Sequence, residues 1–364
     1  MKLYLTADVI GSETGGGLIT QMESKALTDT DGEPAICVGR DQLLQMGPLE
    51  KDPWGWDDLA LKLLDYREFP SAERFHHLHV YAGTFTKTVQ LLKSRGATVS
   101  YTAAAHDVAK SKAEHEALGI EYNFPHLTDP FLFKHYVGGY LQSDLIICPS
   151  EHSRSVMESY GATNVHTIPH GHEPVESPSQ EYPSRFTVGY LGSFGPDKGV
   201  QYLLKAWSRL NLRDATLVLA GRDSTTPYAQ SLIQNFGGGN VIAKGWVDSP
   251  TDFYKSLSLY VQPSITEGFG FEVLEAMACS RPVLCSRGAG AACIAPWECN
   301  FTAGDVEELS RKIMDCHVQF KDGSLSRRGE RCLERSKLFT WDRVLEQYRK
   351  AWLDLWERRR ASNQ

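Results

Sequence analysis

The chain has 364 residues, 41 % of them apolar, which is enough for two hydrophobic cores of ordinary domain size. A formal net charge of −7 argues against nucleic acid as the main partner. The longest apolar runs, such as "DLIIC" and "LVLA", are strand length, far short of the ~20 residues that a bilayer-spanning helix needs.

Taken in order, "MKLYLTADVIG" carries one Lys and a short apolar run without a cleavage-like site. It reads as a first strand, Lys2–Val9, and not as a signal peptide. Further strands are predicted at Pro34–Val38, Leu78–Tyr81, Ala97–Thr102, Asp144–Cys148 and Val165–Ile168, short apolar or β-branched runs of the kind buried parallel strands use. His76, His77 and His79 lie on or just before one of these. Neighbouring side chains on a strand point to opposite faces, so the three read as one core and two surface histidines and not as metal ligands. A helix is predicted over Glu151–Tyr160, with Ser150 as N-cap and Gly161 just past its end.

The Pro- and Ser-rich stretch Pro169–Ser184 interrupts the pattern and reads as a linker; no chemistry is assigned to His170 or His172 within it. Strands then resume at Thr187–Leu191, Thr216–Ala220, Val241–Lys244, Leu257–Val261 and Pro282–Cys285. A helix among them sets Val200, Leu203, Leu204, Trp207 and Leu210 on one face. A last helix is predicted from Trp341 to Arg358. Two series of alternating strands and helices imply two doubly wound α/β domains, residues 1–170 and 180–340. The eight cysteines form no C-x-x-C pair, and Cys37, Cys148, Cys279 and Cys285 sit in apolar contexts. That is the pattern of reduced thiols in a cytoplasmic protein. The basic, aromatic end "YRKAWLDLWERRR" leaves room for peripheral contact at a membrane.

Glu267 and Glu275, in "ITEGFGFEVLEAMACSRPVLCS", flank a Gly-Phe-Gly turn at the predicted start of a helix. A helix N-terminus offers backbone N–H groups and the positive end of its dipole, so it suits phosphate. Gly268 and Gly270 allow a ligand close to the backbone. With a helix start near Gly270, Glu275 lies about 7–8 Å along the axis. This arrangement fits a nucleotide sugar, with the sugar by Glu267, the diphosphate over the amides around Phe269, Gly270 and Phe271, and the ribose by Glu275. Glu272 offers a second ribose or sugar contact. The alternative is an ordinary surface loop with two solvated acids.

The stretch Tyr260 to Ser286 resembles the donor-site signature of glycosyltransferase family 4, retaining enzymes of the GT-B fold. The likeness extends through "YLGSFGPDKGVQYLLKAW" (Tyr190 to Trp207), "ICPSEHSRSVMESYGATNVHTIPHG" (Ile147 to Gly171) and "TGGGLITQMESKAL" (Thr14 to Leu27). The resemblance implies two Rossmann-like domains facing across a cleft, with the terminal segment 341–364 crossing back to the first. It implies a hexose moved from a UDP- or GDP-sugar to a hydroxyl acceptor such as a glycan, a lipid-linked sugar or a small glycoside. By the same resemblance Lys198 binds the diphosphate, and Gly16 and Gly17 approach the sugar or diphosphate. His106 sits near the transferred sugar, and Trp246 and Val247 lie near the nucleobase. Trp246 equally suits a place in the core.

Glu267, His106 and Lys198 are thus the expected catalytic groups. Family members commonly carry Arg where Ser193 stands, and Arg222 is the candidate to supply the missing charge. No D-x-D lies where it would hold a metal at a diphosphate, so neither metal nor cofactor is expected. Alternatives are a nucleotide-sugar epimerase or hydrolase on the same fold, or a binding module whose chemistry has lapsed, prompted by Ser193. A dinucleotide oxidoreductase, suggested by "GYLGSFG", meets the wrong glycine spacing and lacks a strand-end acid.

Overall fold

A computed structural model of the chain describes residues 1–11, 15–49, 55–81, 85–105, 107–178, 181–238 and 240–362, without the side chains of residues 15, 125, 126 and 135. His106 lies outside them. Two compact units emerge. The first comprises Met1–Ala105, Asn123–His170 and Trp341–Gln364, and the second His106–Tyr122 and Gly171–Thr340.

The first unit holds β1 (Lys2–Thr6), β2 (Ala35–Val38), β3 (His77–Tyr81), β4 (Thr98–Thr102), β5 (Leu145–Cys148) and β6 (Val165–Thr167). They form one sheet in the order β2-β1-β3-β4-β5-β6, every pair parallel. The first strand stops at Thr6, short of the Val9 expected, because Asp8 N donates to Thr6 Oγ1 at 3.0 Å and turns the chain. The second unit holds β7 (Phe186–Leu191), β8 (Ala215–Ala220), β9 (Val241–Gly245), β10 (Leu259–Gln262), β11 (Val283–Ser286) and β12 (Asn300–Phe301), ordered β12-β11-β10-β7-β8-β9 and again all parallel. The two-residue β12 was not expected, since it is too short for any periodicity to register. In each sheet the strand order reverses once, between β1 and β3 and between β7 and β10. Such a reversal opens a crevice at the carboxyl ends of the strands, where ligands of open α/β sheets bind.

The helix Val108–Ala117 belongs to the second unit, although its sequence position lies among the elements of the first. Its attachments are polar. Asp107 N donates to Thr266 Oγ1 at 2.7 Å, and Glu114 accepts from Tyr202 Oη at 3.0 Å and from Gln201 Nε2 at 3.3 Å. Hydrophobic patterning carries no trace of such bonds.

The terminal helix Trp341–Ser362 packs on the first sheet. Trp352 is fully buried, its ring 5.1 Å from that of His79, and its Nε1 donates to Ser100 Oγ at 3.1 Å. Trp356 lies 5.2 Å from His77. His77 and His79 are both buried and only His76 is partly exposed, so the expected single core histidine is corrected to two. Residues two apart share a face, and here the terminal helix closes that face. The ring nitrogens are met by Thr98 Oγ1 at 2.8 Å, Ser100 Oγ at 2.7 Å and the buried Glu23 carboxylate at 3.2 Å. Tyr4 Oη also donates to Glu23, at 2.9 Å. Among the described residues no helix is long and apolar enough to cross a membrane.

Two predictions follow from this packing. Trp352→Ala should cost about 3–5 kcal/mol, the usual range for a buried Trp. Leu353→Ala, on the exposed side of the same helix, should cost under about 1 kcal/mol; guanidinium denaturation compares them. Burial holds the His77 imidazole well below its usual range, with His79 adding to the effect, and lowers His170 to about 4. Both are neutral when folded and take up protons on unfolding below about pH 6.5, so stability falls as pH drops from there toward 4. Melting temperatures at pH 7 and pH 5 should show that loss, and His170→Gln should reduce it.

Candidate functional site

The site grows from the reversal between β7 and β10 in the second unit. β7 exits through Gly192, at φ 154°, into the short 3-10 turn Pro196–Lys198. Gly199 follows at φ 70°, where an added Cβ would stand 2.1 Å from Pro263 O. Only glycine lets the β7 exit lie this tightly on the β10 exit. Ile265 N donates to Asp197 O at 2.7 Å, and Tyr190 Oη donates to Ser193 O at 2.5 Å. Lys198 is thereby set on Glu267, with Nζ 2.6 Å from each carboxylate oxygen.

Glu267 is held from its other sides too. Ser264 Oγ and Gln262 Nε2 donate to its Oε2 at 3.1 and 3.3 Å. Its N–H donates to Gly288 O, and its carbonyl accepts from Gly290 N. Gly270, at φ 96°, then opens the helix Phe271–Ala278, as the Gly-Phe-Gly turn implied. Burial alone would lower the Lys198 ammonium, but the Glu267 and Glu272 carboxylates outweigh it and hold it above its usual range. Burial, with the Glu267 charge added, pushes Glu272 up to about 7. Glu275 is also raised by burial, against the opposing hydrogen bond from Tyr254 Oη at 2.7 Å.

A second group forms beyond β8 and β9. An added Cβ at Gly221 would lie 2.0 Å from Gly192 O, and Gly221 N donates to Gly245 O, so the exits of β7, β8 and β9 are knitted together. There the Arg222 guanidinium lies 5.2 Å from the Trp246 ring centroid. Trp246 is 57 % exposed, which removes the core alternative. Val247 is half-buried against the second unit's core. Ser193 is exposed, and its carbonyl accepts from Tyr190 Oη.

Gly16 and Gly17 belong to the first unit, in the helix Gly15–Asp29 that follows β1. A Cβ at Gly16 would stand 2.7 Å from Asp8 Oδ2, and Gly17 O accepts from Gly11 N at 2.9 Å. Burial raises the Asp8 carboxyl against the opposing Arg40 charge.

The structure therefore joins Lys198, Glu267 and the turn Gly268–Gly270 into one constellation and Arg222 with Trp246 into another. Gln262, Ser264 and Tyr254, which support the two glutamates, were not foreseen. The available signal was Gln262 and Ser264 themselves, polar residues two apart at the exit of an otherwise apolar strand. Among the described residues, the side chains grouped closely enough to hold a metal are Asp31, Glu33 and His76, exposed on the first unit, and none is a predicted site residue.

Two parallel six-stranded sheets of this kind make the GT-B fold. Sucrose-phosphate synthase from Thermosynechococcus elongatus shares it, with a TM-score of 0.70 at 17 % identity over 98 % of this chain and 99 % of that one. Anabaena Alr3699/HepE, solved in complex with UDP, superposes with a TM-score of 0.67 at 16 % identity over 97 % of this chain and 100 % of that one.

Residues 185–317, all in the second unit, match the family model for glycosyl transferases group 1. An uncharacterized glycosyltransferase of Methanocaldococcus jannaschii, MJ1178, is 25 % identical over 336 residues, covering 82 % of this chain and 91 % of its own length. A second uncharacterized glycosyltransferase of the same organism, MJ1607, is 35 % identical over 105 residues, covering 28 % of this chain and only 27 % of its own length.

The Tyr254–Glu275 bond yields a prediction of its own. Tyr254→Phe should cost about 1 kcal/mol, and combined with Glu275→Ala should cost less than the sum of the two, since each removes the same hydrogen bond. Denaturant midpoints of the two single variants and the double variant measure that coupling.

Proposed function

We propose that the chain is a retaining glycosyltransferase that moves a hexose from a nucleotide sugar to a hydroxyl acceptor without a metal. One observation carries the reading. A lysine-glutamate pair sits at the topological switch point of a glycosyl transferases group 1 domain, beside the N-terminus of the helix Phe271–Ala278.

In this reading Lys198 and the amides of the Gly-Phe-Gly turn take the diphosphate. Positive charge and backbone donors there stabilise the charge that develops as the nucleotide leaves. Lys198 is shared with Glu267 when no ligand competes, so an incoming diphosphate draws the ammonium toward itself. The Glu267 carboxylate is then released toward the sugar. Glu275, oriented by Tyr254, takes the ribose hydroxyls, and Trp246, braced by Arg222, stacks on the base. The bond from the anomeric carbon to the phosphate oxygen breaks, and the acceptor oxygen bonds to that carbon on the same face. The acceptor's proton passes to the departing phosphate oxygen. UDP, bound by Alr3699/HepE, is the first nucleotide to try. The acceptor is proposed only as a class, a glycan or lipid-linked sugar hydroxyl met at the cytoplasmic side.

Calorimetry with UDP and GDP, with and without EDTA, tests the binding half. Affinity should survive chelation, and Lys198→Ala should weaken it by about 1.5–3 kcal/mol, the worth of a hydrogen bond to a charged group. Glu275→Ala should weaken UDP binding, whereas Glu267→Ala should leave it no weaker while turnover falls. Equal losses of UDP affinity in both would overturn the division of roles. NMR of the first-formed glycoside tests the stereochemistry: an α-linked donor should yield an α-linked product, and an inverted product would overturn retention.

A further inference from the structure

Lys198 is the cation facing two carboxylates. Both oxygens of Glu267 take its ammonium at 2.6 Å, and Glu272 stands in the first turn of the helix Phe271–Ala278. The Glu272 carboxylate leans on the β7 exit, where a Cβ built on Gly192 would come 3.8 Å from its Oε1. The groups facing it are Tyr190 from β7, Lys198 from the following turn, Tyr254 from the helix Pro250–Lys255, Tyr260 from β10, and Glu267 and Glu275 on either side along the chain. With Glu267 and Glu272 both ionised, one ammonium is outnumbered before any ligand arrives. A diphosphate would add further negative charge at the same helix end.

We propose that Glu272 is the proton-carrying phosphate ligand of this site. Its neutral carboxyl donates a hydrogen bond to a phosphate oxygen of the bound nucleoside diphosphate, and the site takes up a proton when Glu272 starts ionised. The inference rests on the reading of the second unit as a nucleotide-sugar site. Charge is conserved in the step: the proton comes from solvent, resides on Glu272 while the diphosphate is bound, and returns to solvent when it leaves.

Burial and the Glu267 charge already hold the free carboxyl at about 7, so the proton is available near neutrality. A phosphate beside it raises the carboxyl further. Affinity for diphosphate is then full below about pH 7. It declines above that by up to about tenfold per pH unit, until pH passes the raised value of the complex. The three tyrosines facing Glu272 do not compete for this role, since burial pushes Tyr190, Tyr254 and Tyr260 well above their usual range.

The test uses the full chain and UDP between pH 7 and pH 9, a range in which the terminal phosphate, with a pKa near 6, stays ionised. Calorimetry in two buffers of different ionisation enthalpy reads both affinity and proton uptake. The wild-type protein should bind UDP at least about tenfold more weakly at pH 9 than at pH 7, with net proton uptake at pH 8. Glu272→Gln keeps a hydrogen-bond donor without a charge. It should bind with little pH dependence, without uptake, and more tightly than wild type at pH 9.

A flat wild-type profile without uptake overturns the proposal even if the variant fails to fold. A variant that keeps the wild-type slope overturns it equally. Binding of UDP, GDP, ADP or dTDP with no pH slope sinks this inference alone. Failure of all four to bind at pH 7 sinks the nucleotide-sugar reading and this inference with it.

Discussion

The second unit depends on how closely two strand exits can approach. Parallel strands β7 and β10 are neighbours in space although two strands intervene between them along the chain, so their exits compete for the same volume. Glycines at positions 192, 199, 221 and 288 relieve that competition, because a single Cβ at position 199, 221 or 288 would stand about 2 Å from a facing carbonyl oxygen. The approach presses the turn ending in Lys198 onto the loop ending in Glu267. Their ion pair follows from backbone packing and not from a chance meeting of two long side chains. The pair is mostly shielded from water, where charges interact far more strongly than on an open surface.

That geometry leaves the helix Phe271–Ala278 with an unusual electrostatic load. Acidic residues near a helix N-terminus are stabilised by its dipole. Here, however, Glu267 and Glu272 crowd one ammonium in a partly buried setting, and the result is a carboxyl poised near neutrality. Catalytic and binding sites are where such perturbed groups collect. The first unit shows the opposite use of buried polarity. His77, His79, Glu23 and Ser100 are matched with hydroxyls and an indole N–H, and they anchor the terminal helix to the sheet. Buried networks of this kind specify one packing arrangement at the cost of any atom left unmatched, here Glu23 Oε1.

Much of this was legible in the residues. The strands predicted from β-branched and apolar runs are present, and Gly270 opens a helix where the Gly-Phe-Gly turn implied one. What escaped was whatever depends on partners distant in sequence. The three histidines before and on β3 were sorted by alternation alone, which assumes one open face. The terminal helix, more than 250 residues later, closes that face and buries two of them. The helix Val108–Ala117 falls within the span 1–170 expected of the first domain, and its attachments to Gln201, Tyr202 and Thr266 are polar and leave no periodic signature.

The sequence by itself determined the class of fold and singled out the short stretch proposed as the nucleotide-sugar site. Periodicity records which faces must be buried, and glycines at a strand exit record where backbone must pass close to something. Only the tertiary structure decided what each charged residue faces. It set Lys198 on Glu267 and Tyr254 on Glu275, left Trp246 exposed under Arg222, and placed Glu272 where burial and a neighbouring carboxylate raise it. A side chain's charge state is the sum of desolvation and of partners many residues away. Neither quantity is encoded in the spacing of residues along the chain.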